Sequence, residues 1–381
     1  TYQCDSRAER AMKISLASKL LVGVFLFSLS AVPVSEANTP VVRIVDKPHL
    51  NADGTLRKNT LAKSLLPAGK LGKLVFTPPD SVKTIVIDAA LIDEVQLLAQ
   101  GGADQEASPE TAIIAENWLY RLRLGSADNT VIALAYGNPD EKLLKEIAPS
   151  ELNFYREYAR EKLEKFLGRS VKTQNGWGSG RSRLSYEFIV DYTENRRTLT
   201  GLNTLTTAPE VINLRARLAI PLNPLLNAKD RAYFTYNNNK AVKKTSEKLK
   251  VTAGRYQITS NSAKLPITLV NGFDTATVVS VSLIPMNSRI QIENVNNVTL
   301  APKSRQQILV PVDVIAPGST LVQAQLLNTK GQLVGQVSKL ELNATIIDSR
   351  VAWFTTAAAV LLLLGAVIQS VRRFRRSRHE K

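Results

Sequence analysis

Apolar and polar positions alternate with period two along residues 254–347. Leu265/Ile267/Leu269, Val279/Val281/Leu283, Ile308/Val310/Val312/Val314, Val322/Ala324/Leu326 and Leu340/Leu342/Ala344/Ile346 each place every second side chain on one face. Such runs predict half-buried antiparallel strands. Asn271-Gly272, Pro285, Pro317-Gly318 and Lys330-Gly331 bound them as turn signals. Residues 254–260 and 289–293 supply two more strands. About seven strands with no helical segment between them predict an immunoglobulin-like β-sandwich without a disulfide.

Residues 81–225 follow a different pattern. Lys83–Ile87 and Thr130–Ala135 are short, continuous, β-branched apolar runs, as in strands buried on both faces. Leu91, Val95 and Leu98 recur at helical spacing, and Gly101-Gly102 ends that helix. Ser108-Pro109 opens the next, with Ile114, Trp118, Leu119 and Leu122 on one side. Helices are also expected over 141–147 and 151–167. Tyr186–Tyr192 reads as a further strand with Glu187 and Asp191 on one alternating face. Val211–Ile220 reads as strand or helix. The expectation is a reduced or partial α/β barrel-like domain, within an α+β multidomain chain. Residues 38–80 form an N-terminal segment with a strand at Val41–Val45 and a solvated His49. Residues 226–253 form a basic linker with one exposed helix.

Two longer apolar runs set the expected address. Leu20–Leu29 follows Lys13 and Lys19, and Ser35 and Ala37 are small residues at the −3 and −1 positions of a signal-peptide cleavage site. The expectation is that residues 1–37, an N-terminal extension plus a signal peptide, are removed after Ala37. Val351–Val371 carries no charge across 21 residues. As a helix it spans about 30 Å, one hydrocarbon core. Trp353 and Phe354 lie at its start, and Arg372, Arg373, Arg375, Arg376 and Arg378 follow it. That flank predicts a cytoplasmic tail at 372–381 and a single pass, with the N-terminal ectodomain outside.

Composition narrows the chemistry. Lys plus Arg number 49 against 33 Asp plus Glu, a net charge of +16. A basic ectodomain outside the cell favours an anionic envelope over nucleic acid, which is not expected as a partner. Two histidines and one cysteine (Cys4) leave little for a metal centre, so no metal and no cofactor are expected. The Gly-rich stretch 175–180 lacks the strand–loop–helix context and the Gly-Lys-Ser/Thr ending of a phosphate loop. Carbohydrate chemistry needs only two carboxylates. Asp88 and Asp140 fall at or just past strand ends, where parallel α/β folds place reactive groups. Glu187 and Asp191 are spares, and Trp118 and Tyr136 are candidate sugar-stacking rings. The preferred reading is plainer: Asp88 and Asp140 cap the helices that follow them.

Several phrases carry a family resemblance. They are Tyr256–Ser260, Lys264–Asn271, Gln325–Gly331, Ile87–Ile92, Leu134–Asp140 and the apolar helix with its arginine tail. On these the chain resembles the actinobacterial family of exported, single-pass membrane-anchored envelope proteins of uncharacterised function, often encoded beside the MurJ-type lipid II flippase. The resemblance implies a fuller sugar-hydrolase-like barrel, with a Pro where Ala89 and Ala135 stand and an Asp where Asn138 stands. The expectation is therefore a non-catalytic envelope protein with a binding or scaffolding role at the outer face of the cytoplasmic membrane, linked to cell-wall precursor export or assembly. Membrane lipids would be its partners through the C-terminal helix, and cell-wall glycan or a membrane protein of wall synthesis elsewhere. The alternative is a membrane-tethered, glycoside-hydrolase-like enzyme using Asp88 and Asp140.

Overall fold

A computed structural model describes residues 40–57, 60–80, 82–101, 109–173, 184–345 and 349–377. The expected signal cleavage at Ala37, the cap at Ser108, the Gly-rich stretch 175–180 and Arg378 lie outside the described residues.

Four parallel strands come first: β1 (Val41–Ile44), β2 (Thr84–Ile87), β3 (Thr130–Ala133) and β4 (Lys172–Thr173). They lie in sequential order, β1-β2-β3-β4, with Ile85 beside Val42 and Val131. Sequential parallel order is the topology of a barrel wall, here a curled half-barrel. Helices α1 (Leu61–Leu65) and α2 (Lys70–Phe76) cross from β1 to β2. Next, α3 (Ala89–Ala99) and α4 (Pro109–Gly125) reach β3, and α5 (Glu141–Ile147) and α6 (Pro149–Leu167) reach β4. Ile85 and Ile87 belong to the main core, whereas Val86, Ile132 and Leu134 form a separate apolar cluster. Burial on both faces is why these strands read as unbroken apolar runs rather than alternation.

Three helices follow, and two correct the sequence reading. The expected strand Tyr186–Tyr192 is the start of helix α7 (Tyr186–Asn203). Phe188, Tyr192, Asn195, Leu199 and Leu202 recur every three to four residues, a period that a seven-residue window cannot resolve. Glu187 and Asp191 therefore stand one turn apart on a helix. Val211–Ile220, left open between strand and helix, is α8 (Pro209–Arg217) continuing into a 3-10 turn at Ile220–Leu222. Within 226–253, α9 (Ala228–Ser246) is no exposed connector: Phe234 and Val242 are buried, and Asn195 Nδ2 of α7 donates to Asn239 Oδ1 at 2.5 Å. Its Asn and Lys content hid the buried stripe.

The sandwich has nine strands among the described residues: β5 (Leu249–Val251), β6 (Gly254–Ile258), β7 (Ser262–Asn271), β8 (Thr277–Pro285), β9 (Ile290–Ile292), β10 (Val295–Leu300), β11 (Ser304–Val314), β12 (Gly318–Leu327) and β13 (Leu333–Ala344). One sheet runs β10-β8-β12-β13-β6 and the other β5-β7-β11-β9, with β5 also joined to β13 at Gln336–Lys250. At that junction Gly335 has φ +75°, and a Cβ there would stand 2.1 Å from Leu249 O. Only glycine fits. The alternating positions named above point inward and are buried, apart from Ile308 and Val314, which pack partly against the core, and Ile346, which lies outside the described residues. Strands β5 and β10 are the two that the pattern missed. β10 is short and irregular, with Asn297 at φ +56° and a register shift against β8.

Asn271 locks one end of the sandwich. Its Nδ2 donates to Thr275 O and Ala301 O, both at 2.9 Å, and its Oδ1 accepts from Phe273 N at 3.0 Å. Asn271→Ala leaves these buried groups unpaired and is expected to destabilise by about 2 kcal/mol. Urea unfolding of the detergent-solubilised chain measures this; an unchanged midpoint would contradict the account. The half-barrel side joins the sandwich at this end, where Asn328 Nδ2 donates to Thr204 Oγ1 at 2.9 Å.

At the opposite end β13 stops at Ala344, and helix α10 (Ser349–Ser377) begins five residues later. Its stretch Trp353–Arg372 is 20 residues long with a mean hydropathy of 2.0 and is not buried, so it is long and apolar enough to cross a membrane. Arg372 lies at the end of this stretch, and Arg373, Arg375 and Arg376 continue the helix.

Candidate functional site

The C-terminal ends of the parallel strands hold a dense polar network. Asp88 follows β2 and is 2 % exposed. Its Oδ1 accepts from Ala90 N at 3.0 Å, capping α3, and from Gly137 N at 2.9 Å. Burial, foremost, raises its pKa from 3.8 to about 7; the charges of Glu94 and Asp93 add to this, and the two backbone N–H groups oppose it. Asp140 is fully buried and caps α5, its Oδ1 accepting from Lys142 N at 3.0 Å and Leu143 N at 3.1 Å. Arg231 lies near enough for that carboxylate to offset part of the pKa lowering that burial imposes on it. Its guanidinium donates to Pro221 O, Asn223 O and Leu226 O.

Residues 136–140 form the lip between the two carboxyls. Gly137 (φ +76°) and Asn138 (φ +45°) turn the chain through left-handed conformations. Asn223 Nδ2 donates to Gly137 O at 2.8 Å, and Asp140 N donates to Leu222 O at 3.0 Å. The turn after α8 therefore clamps the lip shut.

The proposed sugar-stacking rings are corrected by burial. Trp118 is fully buried, its indole N–H donating to Leu71 O at 3.1 Å to tie α4 to α2. Tyr136 is also buried; its hydroxyl donates to Asp93 Oδ2 at 2.9 Å, and its ring meets Tyr158 edge-on at 5.0 Å. Neither ring offers a face to a sugar. His49 is corrected too: instead of being solvated, its Nδ1 stands 3.3 Å from Glu94 Oε2, and Glu94 Oε1 accepts from His49 N and Leu50 N. Glu94, buried on α3, was legible as a charge on the same helix face as Leu91, Val95 and Leu98. Asp93, Asn223 and Arg231 gave no local signal. Lys162 Nζ pairs with Asp93 at 3.2 Å. Among the described residues no group of three or more His, Cys, Asp or Glu is placed to hold a metal ion.

A wider open space lies on the sandwich. A groove of about 710 Å³ runs across β6, β13, β12 and the turn after β8, lined among others by Arg255, Gln257, Met286, Asn287, Leu321 and Asn343. Arg255 Nε pairs with Glu341 Oε2 at 2.8 Å, so the lining is amide-rich, partly apolar and charge-balanced. Such a lining suits a neutral polar ligand or a protein surface.

Residues 172–379 match the family described as a family of unknown function, DUF6049. The chain belongs to DUF6049. The match takes in α7–α9, the sandwich and α10, the part that carries the groove. No curated protein matches the chain significantly. Similar solved structures include native Escherichia coli alpha-2-macroglobulin, at 16 % identity over 26 % of this chain and 6 % of that one, with a TM-score of 0.21. The CARDB domain of Pyrococcus furiosus PF1109, in complex with di-metal ions, is 12 % identical over 27 % of this chain and 97 % of its own, TM-score 0.21. The Caenorhabditis elegans MSP family member WR4 is 11 % identical over 26 % of this chain and 99 % of its own, TM-score 0.20. The chain thus spans only a small fraction of the alpha-2-macroglobulin it matches.

Proposed function

We propose that this DUF6049 chain is a non-catalytic envelope protein, held by α10 at the outer face of the cytoplasmic membrane, with a binding or scaffolding role. The observation that carries this reading is the closure of the half-barrel's strand ends. Asp88 and Asp140 are buried and bonded to helix N-termini, and a glycosidase pair must reach both sides of a sugar bond. The groove on the sandwich offers the accessible surface instead. The arginine run after the apolar stretch favours a cytoplasmic tail and an external ectodomain. The resemblance to actinobacterial proteins encoded beside a MurJ-type flippase supports a link to wall-precursor export or assembly, with cell-wall glycan or a membrane protein of wall synthesis in the groove.

A photoreactive residue in place of Asn343, in the intact membrane-embedded chain, tests the reading. Crosslinks to wall glycan or to a wall-synthesis protein, reduced by Gln257→Ala, are the expected result. Release of sugars from envelope glycan by the purified chain, abolished by Asp88→Asn or Asp140→Asn, would overturn it in favour of the hydrolase.

A further inference from the structure

We infer that the sandwich is seated in the lipid headgroup layer through its β11–β12 loop, rather than hanging free on its tether. The inference rests on the reading that α10 crosses a membrane.

Gly318 pairs with Ala344, the last residue of β13, so the β11–β12 loop lies at the end from which the chain leaves for α10. Three residues separate Thr345 from Ser349, a span of about 14 Å when fully extended, and four helical steps, about 6 Å, then reach Trp353. Thr345, next to the Gly318–Ala344 pair, thus stays within about 20 Å of Trp353, where the apolar stretch starts. A headgroup layer about 5–7 Å deep lies directly over that stretch.

The β11–β12 loop presents an apolar side chain to solvent on a fixed frame, with Met286 exposed above it. Ile315 is 66 % exposed and Met286 59 % exposed. Ile315 N and Ala316 N both donate to Arg289 O, at 2.8 and 3.1 Å. Arg289 N donates to Asn287 Oδ1 at 3.1 Å, which also accepts from Thr320 Oγ1 at 2.7 Å. Arg289 Nη1 donates to Pro317 O at 2.6 Å, and Gly318 (φ +125°) takes a backbone conformation that favours glycine. Scattered exposed apolar residues are ordinary on a protein surface. Here Ile315 is locked in place beside an exposed arginine, on a short tether above an apolar helix. An aliphatic tip with a neighbouring guanidinium matches the boundary between acyl chains and phosphates. Met286, opposite Leu321 and three residues up β12 from Gly318, sits about 10 Å higher, above that layer and on the groove.

The test uses the full chain with Cys4→Ser, reconstituted in phosphatidylcholine–phosphatidylglycerol vesicles, with single spin labels at Ile315→Cys, Met286→Cys, Leu124→Cys or Trp353→Cys. Leu124, on α4, is the water-exposed reference. Collisions with a water-soluble nickel relaxant should be several-fold fewer at 315 than at 124, with 286 close to 124 and oxygen collisions at 315 not reduced. Equal nickel access at 315 and 124, with 353 shielded, would overturn the seat while leaving the anchor standing. Shielding at 315 from both relaxants that grows with protein density would assign the surface to a second copy and overturn it. Water access at 353 would remove the anchor, and the seat with it.

Discussion

Glu151→Ala should destabilise the chain by about 3 kcal/mol, the cost of stranding a largely buried guanidinium. Glu151 sits in the first turn of α6 with its side chain 2 % exposed, and Arg215 in the last turn of α8 closes on it from outside. The contact is a fork, with Arg215 Nε to Oε2 at 2.9 Å and Nη2 to Oε1 at 2.8 Å. The guanidinium also lies over the Phe154 ring, 3.9 Å from its centroid. Removing the carboxylate leaves that cation pressed against an aromatic ring with two donors unpaired. Replacing both partners, Glu151→Leu with Arg215→Met, removes the stranded charge and should restore most of the loss. Urea unfolding of the two single variants and the double variant in detergent provides the cycle. A double variant as unstable as Glu151→Ala alone would show that the cost lies in packing rather than in the orphaned charge.

How well the sequence foretold the molecule depends on the distance over which each feature is encoded. The sandwich strands were legible because period-two alternation is written within each strand. Strands β2 and β3 were legible as unbroken β-branched runs. Helix α7 was misread because its first seven residues fit an alternating pattern, while the period through Leu199 and Leu202 needs more than two turns to emerge. Helix α9 was underrated because its buried face is made partly of Arg231, Thr235 and Asn238, residues that count as surface by composition. The cap geometry of Asp88 and Asp140 was readable, since a cap is a contact with the next two or three residues. Burial of Tyr136 was not, since it depends on Asp93, 43 residues away, and Trp118, though on the apolar side of its helix, finds its indole partner at Leu71, 47 residues away. The groove was the least legible of all. Arg255, Asn287 and Asn343 come from three segments that meet only after the sheet forms.

Asp88→Asn should make the chain more stable than wild type at pH 7.5 by about 4 kcal/mol, and leave the two nearly equal near pH 4. Raising an aspartate carboxyl from its ordinary 3.8 to about 7 corresponds to about that free energy. The sign follows from proton counting. Between those values the folded chain holds a proton on Asp88 that the unfolded chain has already lost. Wild-type stability from this group is therefore full below pH 3.8, falls as pH rises to 7, and is flat above it. Asparagine keeps an oxygen for Ala90 N and Gly137 N and caps a helix as well as aspartate does, without the charge. Asp88→Ala lacks both contacts and should be less stable than Asp88→Asn at every pH. Unfolding free energies of wild type and both variants, taken from pH 4 to 8, provide the comparison; a wild type–Asn difference that does not change with pH would mean that the carboxyl is ionised throughout. Asp88 Oδ1 is bonded to two backbone amides in a site closed to water, so this carboxyl faces α3 and the lip rather than a sugar.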